Sequence, residues 1–234
     1  MARHGKRYSA AVKLVEPRKT YRLADAVDTL KKFPKTKFDE TLELAFKLGV
    51  DPKQSDQMVR GTVALPHGSG KKVRVVVFAK GPAAQAAKDA GADIVGFEDL
   101  IKQVQGGWLD FDVAIATPEA MQEVRKLGKQ LGPKGLMPNP KTGTVTDDTA
   151  KAVKEVKAGR VEFKMDKAAN LHVVFGKLSF EPKAIEENAK AVINAVVHAK
   201  PATAKGHFIE SCTMSSTMSP GLAVDFHEFG GGLS

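Results

Sequence analysis

Gly68-Ser69-Gly70-Lys71 is the first stretch of the chain whose residue types could cradle a phosphate. A phosphate-binding loop needs glycine where Leu65 stands and a magnesium-ligating hydroxyl where Lys72 stands. Such a loop also opens a helix, whereas here the following apolar run reads as a strand. The dinucleotide fingerprint fails too, because Val73 occupies the place of its third glycine. The six histidines, at 4, 67, 172, 198, 207 and 227, are never three or four residues apart, so no helical turn offers two imidazoles to one metal. No Gly-x-Ser-x-Gly elbow occurs. Cys212 is the only cysteine, which excludes an intramolecular disulfide and a cysteine zinc cluster and fits a reducing compartment. The sequence nominates no base to activate it. Asp147-Asp148 and Glu186-Glu187 are neighbouring carboxylates that point to different sides of a helix, which suits helix-start charge and solvated surface. The expectation is a protein without catalytic residues, metal or cofactor.

What the chain does carry is positive charge. Its 234 residues hold 36 Lys+Arg against 27 Asp+Glu, a formal +9, and such a surface draws polyanions, either nucleic acid or an acidic membrane face. The excess is uneven: residues 1 to 66 contribute +6, residues 67 to 159 contribute +3, and residues 160 to 234 are neutral. No apolar run approaches the roughly 20 residues of a membrane span. The basic start, Met1 to Arg7, lacks the apolar stretch of a secretory signal, so a cytosolic protein with no membrane partner is expected. Arg3, Lys6, Arg7, Lys13, Arg18 and Lys19 suit either a solvated helix face or a phosphate clamp.

The elements that must position these residues come in two styles. Leu23, Ala26, Val27, Leu30 and Phe33 recur at spacings of three and four, marking an amphipathic helix that Pro34 closes. From Leu42 the pattern alternates, with Leu42, Leu44, Phe46 and Leu48 on one face and Glu43, Ala45 and Lys47 on the other, the period of a half-buried antiparallel strand. Beyond the breakers Pro66-His67-Gly68-Ser69-Gly70, the almost unbroken apolar run Val73 to Ala79 reads as a strand buried on both faces of a parallel sheet. A helix over 82–90, a strand at Asp93 to Val95, a helix over 98–105, a strand at Phe111 to Ala116, a helix over 118–130 and another near 148–157 complete a doubly wound unit. After Arg160 the antiparallel style returns, with strands at Val161 to Met165 and Leu171 to Phe175. A helix carrying Ile185, Ala189, Val192, Ile193 and Val196 follows, then a last strand around His207 to Cys212.

Neither flank alone makes a complete layered domain, yet together they supply two helices and about four strands. The expected fold is therefore α/β in two domains, a discontinuous α+β domain of residues 1–66 and 160–234 and an inserted α/β domain of residues 67–159. The chain would cross between them at Leu65 to Gly70 and Lys157 to Arg160, with Pro66, His67, Gly68 and Gly159 as hinge residues. The alternative is two ordinary loops inside a single α/β domain. The glycine-rich tail, Phe226 to Ser234, is expected to be disordered.

Three stretches remain: Thr36-Lys37-Phe38-Asp39-Glu40-Thr41, Leu131-Gly132-Pro133-Lys134-Gly135-Leu136-Met137-Pro138-Asn139-Pro140-Lys141, and Ser216-Thr217-Met218-Ser219-Pro220. With them the chain resembles the family of bacterial large-subunit ribosomal protein L-one, the protein of the mobile stalk. Lys47-Leu48-Gly49-Val50-Asp51-Pro52, Ser55-Asp56-Gln57, Arg60-Gly61-Thr62-Val63 and Leu65-Pro66-His67-Gly68 agree as well, in the same order and spacing from about residue 2 to about residue 225. The resemblance implies an RNA-binding domain built from both termini and an inserted Rossmann-like domain. It implies a structural protein of the large ribosomal subunit that binds the rRNA stalk near the tRNA exit site, beside other ribosomal components, and assists release of deacylated tRNA. It also implies repression of translation through a stalk-like structure in the messenger of its own operon.

Carried onto this sequence, the resemblance places Lys37, Phe38, Thr41 and Glu43 on one side of the RNA site and Thr217, Met218 and Ser219 on the other. A-form RNA hides its deep groove from side chains, so the shallow groove is read through 2′-hydroxyls, phosphates and shape. Small polar side chains such as Thr217 suit that task, Lys37 is available to a phosphate, Phe38 offers a flat apolar face, and Glu43 would accept from a ribose hydroxyl. Family members usually have glycine where Ser219 stands. Its side chain either crowds the closest backbone approach or supplies a hydroxyl contact of its own. Judged without the resemblance, Phe38 and Met218 read as core. Lys134, Asn139 and Lys141, on a backbone stiffened by Pro133, Pro138 and Pro140, are candidates for a second rRNA or tRNA contact, against the alternative of a long connector. The rival functions are an α/β enzyme using the middle segment, which lacks a convergent acid, base or nucleophile set, and a free-standing regulator that binds messenger RNA alone.

Overall fold

The computed structural model of the protein describes residues 5–204 and 206–229, apart from the side chains of Ser55 and Lys141. In chain order come helices α1 (Lys6–Val12) and α2 (Leu23–Lys32), then strands β1 (Thr41–Leu48), β2 (Arg60–Ala64) and β3 (Val75–Phe78). Next are α3 (Gly81–Asp89), β4 (Ile94–Gly96), α4 (Glu98–Gln105), β5 (Val113–Ala116), the short α5 (Met121–Val124) and α6 (Gly128–Leu131), and α7 (Thr149–Lys157). The remainder adds β6 (Arg160–Lys164), β7 (Asn170–Lys177), α8 (Pro182–His198), β8 (Ile209–Ser216) and β9 (Leu222–Ala223). These elements gather into two compact units, one formed by the chain up to Gly70 and again from Val161, the other by Lys71–Arg160.

The first unit is organised around β1, which pairs antiparallel with β7 on one side and β8 on the other in a sheet ordered β7-β1-β8-β9. Burial alternates along β1, as a period of two requires when one face of a sheet packs and the other stays open. The packed face presents Leu42, Leu44 and Phe46 with Leu171, Val173 and Phe175 of β7 and Cys212 and Met214 of β8. Against it lie the apolar stripes of α2 (Leu23, Ala26, Val27, Leu30) and α8 (Ile185, Ala189, Val192, Ile193, Val196), all in one core. Each fully buried leucine or phenylalanine contributes about 1.5–3 kcal/mol. The other face carries Glu43, Ala45 and Lys47, opposite Ser215, Thr213 and Ser211 of β8, all half-buried or exposed. A two-stranded sheet of β2 and β6 completes the unit, with Gly61 pressed so closely under the Phe163 ring that a Cβ would lie 2.7 Å from it.

The second unit is a three-stranded parallel sheet ordered β4-β3-β5. All four residues of β3 are buried. Val76 and Phe78 pack with Leu100, Ile101 and Val104 of α4, and Val75 and Val77 pack with Ala87 of α3 and Ala152, Val153 and Val156 of α7. Helices thus cover both faces, as parallel sheets require.

Four differences from the sequence expectation have physical causes. The helix expected over 118–130 is a 3₁₀ segment, Arg125–Leu127, set between α5 and α6. Its buried residues Met121, Val124 and Leu127 recur at steps of three, which a three-residue turn aims at the core better than a 3.6-residue one. The last strand does not stop near Cys212 but runs to Ser216, because the inward positions Cys212, Met214 and Ser216 continue the alternation through polar residues that mask it. The sequence patterns predict neither strands β2 and β9 nor helix α1; β9 has two residues and only Ala11 of α1 is buried, so neither of these leaves a periodic trace. Part of the tail expected to be disordered, His227–Phe229, forms a 3₁₀ turn, and residues 230–234 lie outside the described residues, as does Arg3.

The segment expected to bend is tied down where it leaves the first unit. Asn188 of α8, fully buried, accepts from the His67 N–H at 3.0 Å and donates to the carbonyls of Gly68 at 3.0 Å and Phe175 at 2.9 Å. The His67 ring meets Glu187 at 2.6 Å. Gly68 and Gly159 both hold positive φ, 67° and 104°, which explains glycine at each.

Candidate nucleic-acid interface

The opening of β1 and the turn after β8 meet at one end of the four-stranded sheet. Thr41 and Thr217 hold them together twice: the Thr41 N–H donates to Thr217 Oγ1 at 3.0 Å, and the Thr217 N–H donates to the Thr41 carbonyl at 3.1 Å. The two stretches are 176 residues apart in the chain and one strand apart in space. Phe38 and Met218, the large apolar residues flanking this junction, are 53% and 49% exposed. That overturns the core reading, since a packing residue of either type would be buried. Lys37 and Thr217 are exposed beside them, and Thr41 is half-buried.

Glu43 stands one step along the open face, paired with His172 of β7 across the sheet. Lys177, at the far end of β7, donates from Nζ to Thr41 Oγ1 at 2.7 Å. The patch therefore combines small hydroxyls, two exposed apolar side chains, two lysines and one carboxylate held by an imidazole. Such a surface offers donors to phosphate, donors and acceptors to ribose hydroxyls, and apolar area to a base or sugar.

The turn that carries Met218 rests on a buried carboxylate. Glu40 is 2% exposed, accepts from Ser216 Oγ at 2.6 Å and from the Met218 N–H at 3.1 Å, and lies 3.9 Å from the Arg7 guanidinium. Ser219 folds its own hydroxyl back into the turn, accepting from the Ser216 N–H at 2.9 Å and donating to the Pro220 carbonyl at 3.0 Å. Its φ is not positive, so the serine sits without backbone strain, and its hydroxyl bonds within the turn.

Sequence reasoning singles out Glu43, Thr41 and the threonine–methionine turn but passes over Glu40, Ser216, His172 and Lys177. A signal for the first two exists. Extending the inward parity of Leu42 back one step reaches Glu40, and that of Met214 forward one step reaches Ser216, so each is a polar residue at a core position. The pairing of β1 with β7, which sets Lys177 opposite Thr41 and His172 diagonally across from Glu43, is a long-range property that no local pattern carries.

The second candidate group lies in the other unit. Lys134 is exposed and Asn139 half-buried; the Lys141 side chain is outside the described residues. The segment is not a loose connector: the Asn139 carbonyl accepts from the N–H groups of Thr142 and Thr144, both at 3.2 Å, and Leu136 and Met137 pack against the core of that unit. Burial pushes the Cys212 thiol up to about 12, which removes it as a nucleophile, and among the described residues no cluster of three or more His, Cys, Asp or Glu could hold a metal. No helix among the described residues is long and apolar enough to cross a membrane.

Comparison with known proteins agrees with this picture. Residues 30–220 match the model of the ribosomal protein L1p/L10e family. The large ribosomal subunit protein uL1 of Lactobacillus delbrueckii subsp. bulgaricus is 53% identical over 225 residues, 96% of this chain and 97% of that protein. A match spanning the sheet, the inserted unit and the Thr-Met turn alike shows that the chain belongs to the ribosomal protein L1p/L10e family.

Proposed function

We propose that this protein is a structural constituent of the cytoplasmic large ribosomal subunit that grips the rRNA of the mobile stalk with the open end of its four-stranded sheet. Membership of a ribosomal protein family supports a role as an rRNA-binding part of a ribonucleoprotein engaged in translation, and not as an enzyme. The observation that carries the site is the junction of Thr41 and Thr217 with Phe38 and Met218 exposed on either side. Lys37 and Lys177 address phosphates, Thr217 and Glu43 address ribose hydroxyls, and Phe38 and Met218 cover sugar or base. The hydroxyl of Ser219 stabilises the turn.

The finer parts of the reading follow from the same surface. A stalk near the tRNA exit site gives Lys134, Asn139 and Lys141 of the inserted unit access to rRNA or exit-site tRNA and a part in releasing deacylated tRNA. A messenger that mimics the stalk would occupy the same sheet end, which makes the protein a repressor of its own operon. We propose that the two units are domains joined by a hinge at the crossings near Gly68 and Gly159; the Asn188 bonds to His67 and Gly68 favour movement beyond Gly68 on the outgoing crossing.

Nuclease footprinting on naked large-subunit rRNA tests the proposal. Protection confined to one stalk, competed by a transcript of the operon's own leader, is the expected result. Protection scattered over the rRNA, or none, would dispose of it.

A further inference from the structure

We infer that Arg7 and Glu40 are positioning residues, which set the RNA-facing turn at Met218 without touching RNA themselves. The inference rests on the RNA-binding reading of that turn. Both main-chain polar groups of Met218 are clamped: its N–H donates to Glu40 at 3.1 Å, and its carbonyl accepts from Arg7 Nη2 at 2.9 Å. The Arg7 guanidinium also lies 3.9 Å from Glu40 and donates to the Pro34 carbonyl at 3.5 Å, so one side chain joins α1, the approach to β1 and the turn after β8. Charge-assisted bonds of this kind hold direction as well as distance, and a guanidinium fork engages two acceptors at once.

A buried carboxylate is a poor way to stabilise a fold, because the cost of desolvation offsets most of what its partners return. Glu40 is spent instead on geometry. It fixes the backbone of a residue whose own side chain is left 49% exposed, a combination that serves contact with something outside the chain. Helix α1 supports the same point. It is seven residues long and buries only Ala11, so it adds little to the core, yet it delivers Arg7 to the turn. The basic character of the N-terminal segment is thereby resolved at this position: Arg7 is neither a solvated charge nor a phosphate clamp.

The test measures dissociation constants for a large-subunit rRNA transcript over a series of salt concentrations. It uses the full chain, Arg7→Met, Arg7→Lys, Glu40→Gln, Met218→Ala and Arg7→Met combined with Met218→Ala, with circular dichroism to verify folding. A positioning role predicts that Arg7→Met weakens binding about tenfold, the order of one lost charge-assisted bond, with the salt slope unchanged. Arg7→Lys recovers little, because an ammonium cannot span Glu40 and the Met218 carbonyl together. Glu40→Gln loses a similar factor. Adding Arg7→Met to Met218→Ala costs almost nothing further, since the two act through one side chain. A salt slope reduced by about 0.7–0.9, with rescue by lysine, would make Arg7 a phosphate contact and overturn the inference. So would full additivity with Met218→Ala, which is how a general loss of stability behaves. Thr217→Val separates the two levels: if it weakens binding while Arg7→Met does not, only this inference fails, and if neither variant changes affinity, the RNA site fails with it.

Discussion

Along β3 every residue is buried, whereas along β1 buried and half-buried residues alternate. The parallel sheet has helices on both faces and keeps its surface for its loops. The antiparallel sheet is covered by α2 and α8 on one face and leaves the other, with Glu43, Ala45, Thr213 and Ser215, available. The difference supports assigning the proposed macromolecular site to the first unit. Only an open sheet places residues from strands distant in sequence on one rigid surface, whereas a sheet sealed on both sides can offer only the segments that leave its ends.

The largest effect that follows is on binding. Met218→Asp sets a carboxylate against phosphate at the exposed turn and is expected to cost about 3 kcal/mol of RNA affinity, roughly a hundredfold. The main-chain bonds of the turn are untouched, so the circular dichroism spectrum should not change. Filter binding at fixed salt checks it, and affinity within a factor of two of the parent would place the RNA elsewhere.

Stability sharpens the contrast between the sheets. Val76→Ala and Val77→Ala point to opposite faces of β3, and each should cost about 2 kcal/mol, because each removes two buried methyl groups and leaves a cavity. On the open face of β1, Ala45→Ser should cost less than about 0.5 kcal/mol. Urea unfolding measures both. If Val76→Ala and Val77→Ala differed as widely as Leu44→Ala and Ala45→Ser, the parallel sheet would have a free face after all.

The loop ends of the sealed sheet should matter less for RNA. Lys134→Ala is expected to weaken binding to a stalk transcript by less than about threefold, the scale of one exposed charge. Its effect should grow only when exit-site tRNA or the whole subunit is present. A loss as large as that of Met218→Asp on the bare transcript would erase the distinction between the two units.

Legibility in the amino-acid sequence follows the same division. The alternation of Leu42 to Leu48, the stripe of α2 and the apolar run of β3 are local and strong, and each element lies where its pattern puts it. The stretches around Phe38 and Met218 are identifiable by resemblance, but their exposure is not, since an exposed and a buried phenylalanine look alike in one dimension. Polar residues at core parity, Glu40 and Ser216, are the blind spot. Hydrophobic periodicity treats them as interruptions, when in fact they mark where the sheet turns from packing to presenting a turn. The pairings of His172 with Glu43 and of Arg7 with Met218 join residues 129 and 211 apart, and only the folded sheet, with α1 set beside it, brings them together.

A small effect concerns charge at the foot of the parallel sheet, where pH distinguishes an ion pair from packing. Lys71 Nζ lies 2.6 Å from Asp112, and the Arg74 N–H donates to the same carboxylate at 3.1 Å. Lys71 first, and then that N–H, hold the Asp112 carboxyl below its ordinary value of 3.8. A carboxylate whose folded-state pKa is depressed adds stability above its unfolded pKa and loses that stability as pH falls through the folded value. Asp112→Asn should therefore cost a little at neutral pH, less than about 1 kcal/mol because the lysine is well solvated. The cost should shrink steadily below about pH 4 as the parent's carboxylate takes up its proton. Added salt should also diminish it, whereas the cost of Val77→Ala should hold across the same conditions. Denaturant unfolding of parent and variant at pH 7 and pH 3 reads the difference directly; a cost that persists undiminished at pH 3 would mean that Asp112 acts through the shape of its bond to Arg74 and not through its charge.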